Sequence, residues 1–249
     1  MMSADGKSRG FRKLRRDVRT LGTKFTHWLD VQLGLAVKRR PPLSLAELDA
    51  IPYVTEKGRP LNSTKWERKE QLDACQYVRP DHRVLELGGC YGLVSCVINH
   101  KLSDPAKHVV VEPAREVIPA LSRNRDAHHA KFQIFNGVVA CEPMKLLGQN
   151  MSRWTEPSPN GDVAYLPLEK LEQRFGVRFN CLVADCEGGL EQFVRDFPTL
   201  FARLDTVLFE RDRERVSFGL QCDYQFIGRF LESQGFERVK DGGHPVWLK

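Results

Sequence analysis

Three groups of residues in this chain combine acids or glycines with spacings that bring them to one place. The first is Glu86-Leu87-Gly88-Gly89-Cys90-Tyr91-Gly92, preceded by Val84-Leu85 and followed by an apolar run from Leu93. It reads as a strand, a glycine-rich turn and a helix. Glycines allow positive φ and let a ligand approach bare backbone, and phosphates often bind where such a turn opens a helix. The spacing fits neither familiar phosphate motif. Counted from Gly88, a dinucleotide fingerprint needs glycine at 90 and glycine or alanine at 93, where Cys90 and Leu93 stand. A P-loop needs Gly-Lys-Ser/Thr, and none follows. What remains is Glu-x-Gly-x-x-x-Gly. Its carboxylate repels a pyrophosphate and suits a cation such as an α-ammonium or a sulfonium. The plainer alternative is a tight strand-to-helix turn.

The second group is Val109-Val110-Val111-Glu112-Pro113. A carboxylate ending the next strand can accept both ribose hydroxyls of a nucleoside lying over the first turn. Together the two groups describe a pocket for a positively charged nucleoside, which is the description of S-adenosylmethionine. The third group is Leu182-Val183-Ala184-Asp185-Cys186-Glu187-Gly188, with Glu210 and Asp212 closing the following strand. Ligands of open α/β sheets bind at that end of the strands. Burial beside other acids raises a carboxyl pKa and makes Asp185 or Glu187 a candidate base, with His244 as an alternative. The contrary reading has Asp185 capping the next helix and Glu187 solvated. No metal is expected. Were one bound, Asp185, Glu210 and Asp212 could offer oxygens to Mg²⁺.

Alternating elements must position these groups. Strands are expected at Arg83–Leu87, His108–Val111, Phe132–Val139, Cys181–Ala184, Thr206–Phe209, Phe236–Val239 and Val246–Leu248. Helices are expected at Leu93–Lys101, Arg115–Ala127, Leu190–Leu200 and Gln225–Gln234. Such alternation argues a mostly parallel seven-stranded Rossmann-like sheet covered on both faces. The turn at Asp241-Gly242-Gly243 makes the last strand antiparallel. Met151–Asp162 is long, polar and rich in Pro and Gly, and reads as a lid from which Trp154 could stack on a sugar and Arg153 steady a charge. Ahead of the sheet, Ser44–Ile51 has a helical pattern, and Thr64 with Glu67 has the spacing of a capping box opening a helix that runs through Val78.

In this order the motifs resemble the FkbM-type methyltransferases, a class I, Rossmann-like family. The resemblance is carried by Val-Leu-Glu-Leu-Gly-Gly-x-x-Gly at 84–92, Glu112-Pro113 with Leu121 and Asn124, Asn136-Gly137-Val138-Val139, Leu166-Pro167-Leu168-Glu169, Asp185-Cys186-Glu187-Gly188 and Leu208-Phe209-Glu210. It covers roughly residues 63–249. It implies an S-adenosylmethionine site in which Glu86, Gly88, Gly89, Cys90, Tyr91 and Gly92 shape the methionine end. It further implies Glu112 on the ribose, Asn136, Gly137 and Asp185 as further contacts, and Asp185 with Glu187 near the transferred methyl. The expected activity is O-methylation of a hydroxyl on a sugar, glycolipid or small natural product. The rival expectations are an RNA or protein methyltransferase docking through a basic arm, and an inactive methyltransferase-like assembly or tethering factor.

That arm is residues 1–40, followed by a lead-in at 41–82 and the methyltransferase domain at 83–249. It holds eleven Lys/Arg against three Asp, a net of +8, so the rest of the chain carries −2 of the total +6. Phe11, Leu14, Val18, Leu21, Phe25 and Trp28 lie on one side of a helix. The arm reads as a contact to an anionic membrane surface or nucleic acid, an organelle-targeting segment, or a helix packed on the body. The acidic remainder argues against a whole domain built for nucleic acid. With 249 residues, 41% of them hydrophobic, the chain can bury a real core. No run approaches the roughly 20 apolar residues of a membrane span, and no secretory leader is evident near Met1. Seven cysteines without a C-x-x-C pair exclude zinc-finger spacing and point to a reducing, cytoplasmic setting, peripheral on a membrane if the arm binds one.

Overall fold

The computed structural model describes residues 41–149, 152–211 and 222–249, and its elements alternate as the sequence implies. The lead-in opens with α1 (Leu45–Asp49), which starts on a capping box. The Glu47 amide donates to Ser44 Oγ at 3.3 Å, and the Ser44 amide donates back to Glu47 Oε2 at 2.7 Å. β1 (Tyr53–Val54) and β2 (Pro60–Leu61) pair antiparallel, and α2 (Arg68–Tyr77) follows.

The box expected at Thr64 and Glu67 does not form. The Thr64 hydroxyl donates to Asn62 Oδ1 at 2.7 Å instead, because asparagine closes a local turn first. Glu67 becomes the N-cap residue itself, in the left-handed region with φ 50°, a conformation that a side chain with a Cβ adopts at a cost.

From β3 (Val84–Leu87) the chain runs through α3 (Leu93–Lys101), β4 (His108–Glu112), α4 (Ile118–Ala127) and β5 (Gln133–Asn136). Two β-rich detours come next. β6 (Val138–Val139) pairs parallel with β9 (Tyr165–Leu166), and between them β7 (Met144–Gln149) and β8 (Ser152–Pro157) form an antiparallel ladder. After α5 (Leu168–Phe175) come β10 (Cys181–Ala184), α6 (Leu190–Asp196), α7 (Pro198–Phe201), β11 (Thr206–Phe209), α8 (Tyr224–Ser233), β12 (Glu237–Lys240) and β13 (Val246–Leu248).

The main sheet has the order β12-β13-β11-β10-β3-β4-β5 and is parallel except for β13, which runs against both neighbours. This is the seven-stranded sheet with a reversed last strand that the alternation implied. Every residue of β3, β4, β10 and β11 is buried, as strands covered on both faces must be. The pleat sends Leu85, Leu87, Val109, Val111 and Leu182 toward α5–α8, and Val84, Val110, Cys181, Val183 and Leu208 toward α2–α4. From β3 the chain winds outward to β5, then returns to place β10 on the other side of β3. The gap between β3 and β10 is therefore the switch point where such sheets hold ligands.

Three expected elements differ. The strand over Phe132–Val139 divides at Gly137, whose amide still bonds Glu112 O, while the Val138 amide turns to Ala164 O. A Cβ at 137 would lie 2.3 Å from Ala164 O, so this crossing needs glycine. The helix over Leu190–Leu200 breaks at Phe197, because Pro198 has no N–H to continue it. The lid over Met151–Asp162 is largely strand β8, with Leu147 opposite Trp154 and Gly148 opposite Arg153. Residues 150–151, the arm at 1–40 and Asp212 lie outside the described residues. Among those described, no helix is long and apolar enough to cross a membrane.

Candidate functional site

The glycine-rich turn and the acids after β10 meet at the switch point. The Asp185 amide donates to Leu87 O at 2.8 Å. Gly88 has φ +88°, and a Cβ there would sit 1.7 Å from Asp185 O. Only a residue without a side chain lets the two strand ends come this close. Glu112, at the tip of β4, secures the turn from the other side. Its Oε2 accepts the Cys90 amide at 2.8 Å and its Oε1 accepts the Ala114 amide at 2.7 Å. Burial raises its carboxyl above the usual range, and these N–H groups pull in the opposite direction. An ionised carboxylate has about four acceptor positions. Two backbone bonds therefore leave room for hydroxyl donors.

Two cavities lie on either side of Gly88 and Asp185, and both also touch Glu67. The larger, about 940 Å³ with its opening to solvent included, is lined by Glu112, by the apolar side chains of Val117, Val139 and Phe193, and by Asp185 and Glu187. Arg153 and Trp154 close it from β8, so the two residues expected on a lid line the cavity from a paired strand. Arg153 is fixed by an ion pair to Glu116 at 2.7 Å, and the Trp154 indole donates to Glu156 Oε1 at 2.8 Å. Glu187 has φ 48° and Gly188 φ 88°, a left-handed pair that turns the chain sharply after β10. The smaller cavity, about 460 Å³, is walled by Glu67, Glu70, Asp73, Glu86, Asp185 and Glu210, with His244 among them.

The structure sorts the residues named from sequence. Gly88, Cys90, Glu112, Asp185 and Glu187 line the larger cavity, and Glu86, Gly88, Asp185 and Glu210 the smaller. Glu86 is tied down within the protein. Ser95 Oγ donates to its Oε1 at 2.9 Å and His108 Nε2 to its Oε2 at 2.7 Å, all three buried. Gly89, Tyr91, Gly92, Asn136 and Gly137 are not on either wall. The Tyr91 hydroxyl donates to Glu56. The Asn136 amide donates to Glu112 O at 2.8 Å and Pro113 O at 3.3 Å, holding the end of β4. Asn136 thus supports the end of β4, and its neighbours Val138 and Val139 face the larger cavity.

Sequence reasoning missed the acids of α2. Glu67 lines both cavities, and burial together with the Glu70, Glu86 and Glu210 carboxylates pushes its pKa up to about 8. Glu70 is also raised, mainly by burial, while His244 opposes the shift. His244 Nδ1 lies 3.1 Å from Glu70 Oε1. Lys240 Nζ is held on Asp73 Oδ1 at 2.6 Å. The available signal was the run Glu67, Glu70, Asp73 at helical spacing of three, which puts three acids on one face of α2. That this face meets the strand ends was not legible from spacing.

No protein-family model and no curated protein matches the sequence. Solved structures of similar shape exist. Fibrillarin from Aeropyrum pernix, with natively bound S-adenosyl-L-methionine, is 15% identical and aligns over 76% of this chain and 76% of its own, with a TM-score of 0.42. An O-methyltransferase from Bacillus cereus, in complex with S-adenosylhomocysteine, is 11% identical over 91% of this chain and 90% of its own, TM-score 0.41. A Streptococcus pneumoniae protein provisionally described as a tRNA (m1A22) methyltransferase is 12% identical over 72% and 69%, TM-score 0.44. The likenesses are distant, and none says which acceptor this chain takes.

Proposed function

We propose that this chain is an S-adenosylmethionine-dependent methyltransferase that methylates a hydroxyl oxygen of a sugar, glycolipid or small natural product. The observation that carries this reading is the pair of cavities divided by Gly88 and Asp185 at the switch point, one apolar-walled over Glu112 and one lined with carboxylates. The residues present fit the cofactor: a carboxylate at the tip of β4 with acceptor positions to spare for ribose hydroxyls, apolar walls for a base, and acidic walls for a cation. When bound, the cofactor's sulfonium supplies an electrophilic methyl group.

Glu112 takes the ribose hydroxyls while holding the turn through Cys90 and Ala114. Val117, Val139 and Phe193 offer a planar base apolar contact. The carboxylates of Glu86 and Asp185 on the smaller cavity favour the α-ammonium end. Asp185, on both cavities, or Glu187 beside it accepts the proton of the acceptor hydroxyl, a contribution of about 10²–10⁴-fold. Holding the acceptor in line is worth more, about 7–11 kcal/mol in effective-molarity terms. Walls this acidic repel phosphates, which weighs against RNA as the acceptor.

The test is transfer of labelled methyl from S-adenosylmethionine to separated glycan, lipid, small-molecule, RNA and protein fractions. Label in a glycan, lipid or small-molecule hydroxyl is expected. Label confined to RNA or protein would overturn the acceptor class.

A further inference from the structure

We propose that Glu70, Glu210 and Nδ1 of His244 form a site for a first-row divalent transition-metal ion on the wall of the smaller cavity. The three come from separate parts of the chain: helix α2, the residue after β11, and the turn before β13. Their ligand atoms nevertheless lie within 4.8 Å of one another. Ligands about 2.0–2.2 Å from one tetrahedral ion sit about 3.3–3.6 Å apart. Side-chain shifts of up to about 1 Å therefore close the triangle on an ion.

A second, independent observation points the same way. His244 Nδ1 is fully shielded from solvent and makes no hydrogen bond, although Glu70 Oε1 is 3.1 Å away. The carboxylate lies near it but off the line a hydrogen bond requires. A shielded ring nitrogen that faces a carboxylate oxygen at 3.1 Å without a hydrogen bond is placed to share a cation with it. The surrounding charges do not supply it. Lys240 is held on Asp73, and His108 is held on Glu86. Among the described residues, no lysine or arginine is paired with Glu70 or Glu210. This set differs from the Asp185, Glu210 and Asp212 combination considered from sequence, and it has different chemistry. One imidazole with two carboxylates suits Mn²⁺, Fe²⁺ or Zn²⁺ better than the all-oxygen shells of Mg²⁺ and Ca²⁺.

Three protein ligands leave coordination positions open, the pattern of a working rather than a purely structural metal. All three ligands line the cavity that Asp185 and Gly88 share with the nucleoside side. Resting on the methyl-transfer reading above, the ion's place in the reaction is to take the acceptor oxygen and orient it toward the switch point.

The test titrates MnCl₂ alone into the chelator-stripped full-length chain and records the pulsed electron paramagnetic resonance of the bound ion. One Mn²⁺ per chain is expected, showing coupling to a directly bound imidazole ¹⁴N. Glu210→Gln should weaken binding about tenfold or more, and His244→Gln should abolish the ¹⁴N coupling. Dissociation only above about 1 mM, or bound Mn²⁺ without ¹⁴N coupling in the unaltered chain, would overturn the site. The unaltered protein gives this answer even if a variant fails to fold. Separate titration with S-adenosylhomocysteine keeps the two readings apart. Mn²⁺ bound with nitrogen coupling but no nucleoside binding would keep the metal site and remove the methyltransferase reading, and the converse pattern would do the opposite.

Discussion

At Glu112 two backbone amides, the part-buried one of Cys90 and the buried one of Ala114, depend on one carboxylate. Glu112→Ala leaves both without a partner, at about 1–3 kcal/mol each. It should therefore lower stability in urea titrations and weaken nucleoside binding together. A simple surface acid would change neither. Glu67 behaves differently because its pKa is raised, from 4.5 to about 8, by burial and by Glu70, Glu86 and Glu210. The unfolded chain releases that proton near pH 4.5 and the folded chain only near 8. Between those values the folded state holds more protons, so this group's stabilisation is complete at low pH and is lost as pH rises through the window. The slope approaches about 1.4 kcal/mol per pH unit. Glu67→Gln should flatten the stability profile from about pH 4.5 to 8 and leave the variant more stable than the parent at pH 8. A parallel profile in both proteins would contradict the raised pKa. Glu112 was readable in the sequence because a lone carboxylate ended an all-apolar strand. Glu67 was not, because its role arises from a left-handed backbone conformation that its neighbours in the sequence do not announce.

Elements buried on both faces were the easiest to read. Leu93–Lys101, Cys181–Ala184, Thr206–Phe209 and Val246–Leu248 fall where the apolar runs and their punctuation put them. The β7–β8 ladder was hidden, because none of Arg153–Pro157 is fully buried and a half-exposed hairpin need not alternate cleanly. At this scale the turn after β3 gives a sharp expectation. Gly88→Ala would push a Cβ to 1.7 Å from Asp185 O at φ +88° and should cost more than about 4 kcal/mol in urea unfolding. Gly58, at φ +71° with nothing within 4 Å, should cost only about 1–2 kcal/mol on the same change. Equal effects would show that the strand ends do not meet as described. The α3–β3–β4 junction carries a second expectation. His108→Leu removes one partner of the buried Glu86 and should cost about 3–5 kcal/mol.

Across the whole molecule, the outward winding from β3 to β5 and the return to β10 leave one gap where backbone ends diverge. Gly88, Gly189 and the acids Glu67, Glu86, Glu112, Asp185, Glu187 and Glu210 line the cavities there. The topology could be inferred from alternation, and so could the strand-end acids. The acids of α2 could not, because they reach the gap from a lead-in helix that no periodicity ties to it, and His244 was readable only as an alternative base. The central claim is that this gap binds a cationic methyl donor and its product. Calorimetric titration of the full-length chain with S-adenosylhomocysteine, beside Glu112→Ala, tests it most directly. The account predicts one site per chain in the parent and affinity reduced about tenfold or more in the variant. Absence of binding to the parent, or equal affinity in both proteins, would contradict it.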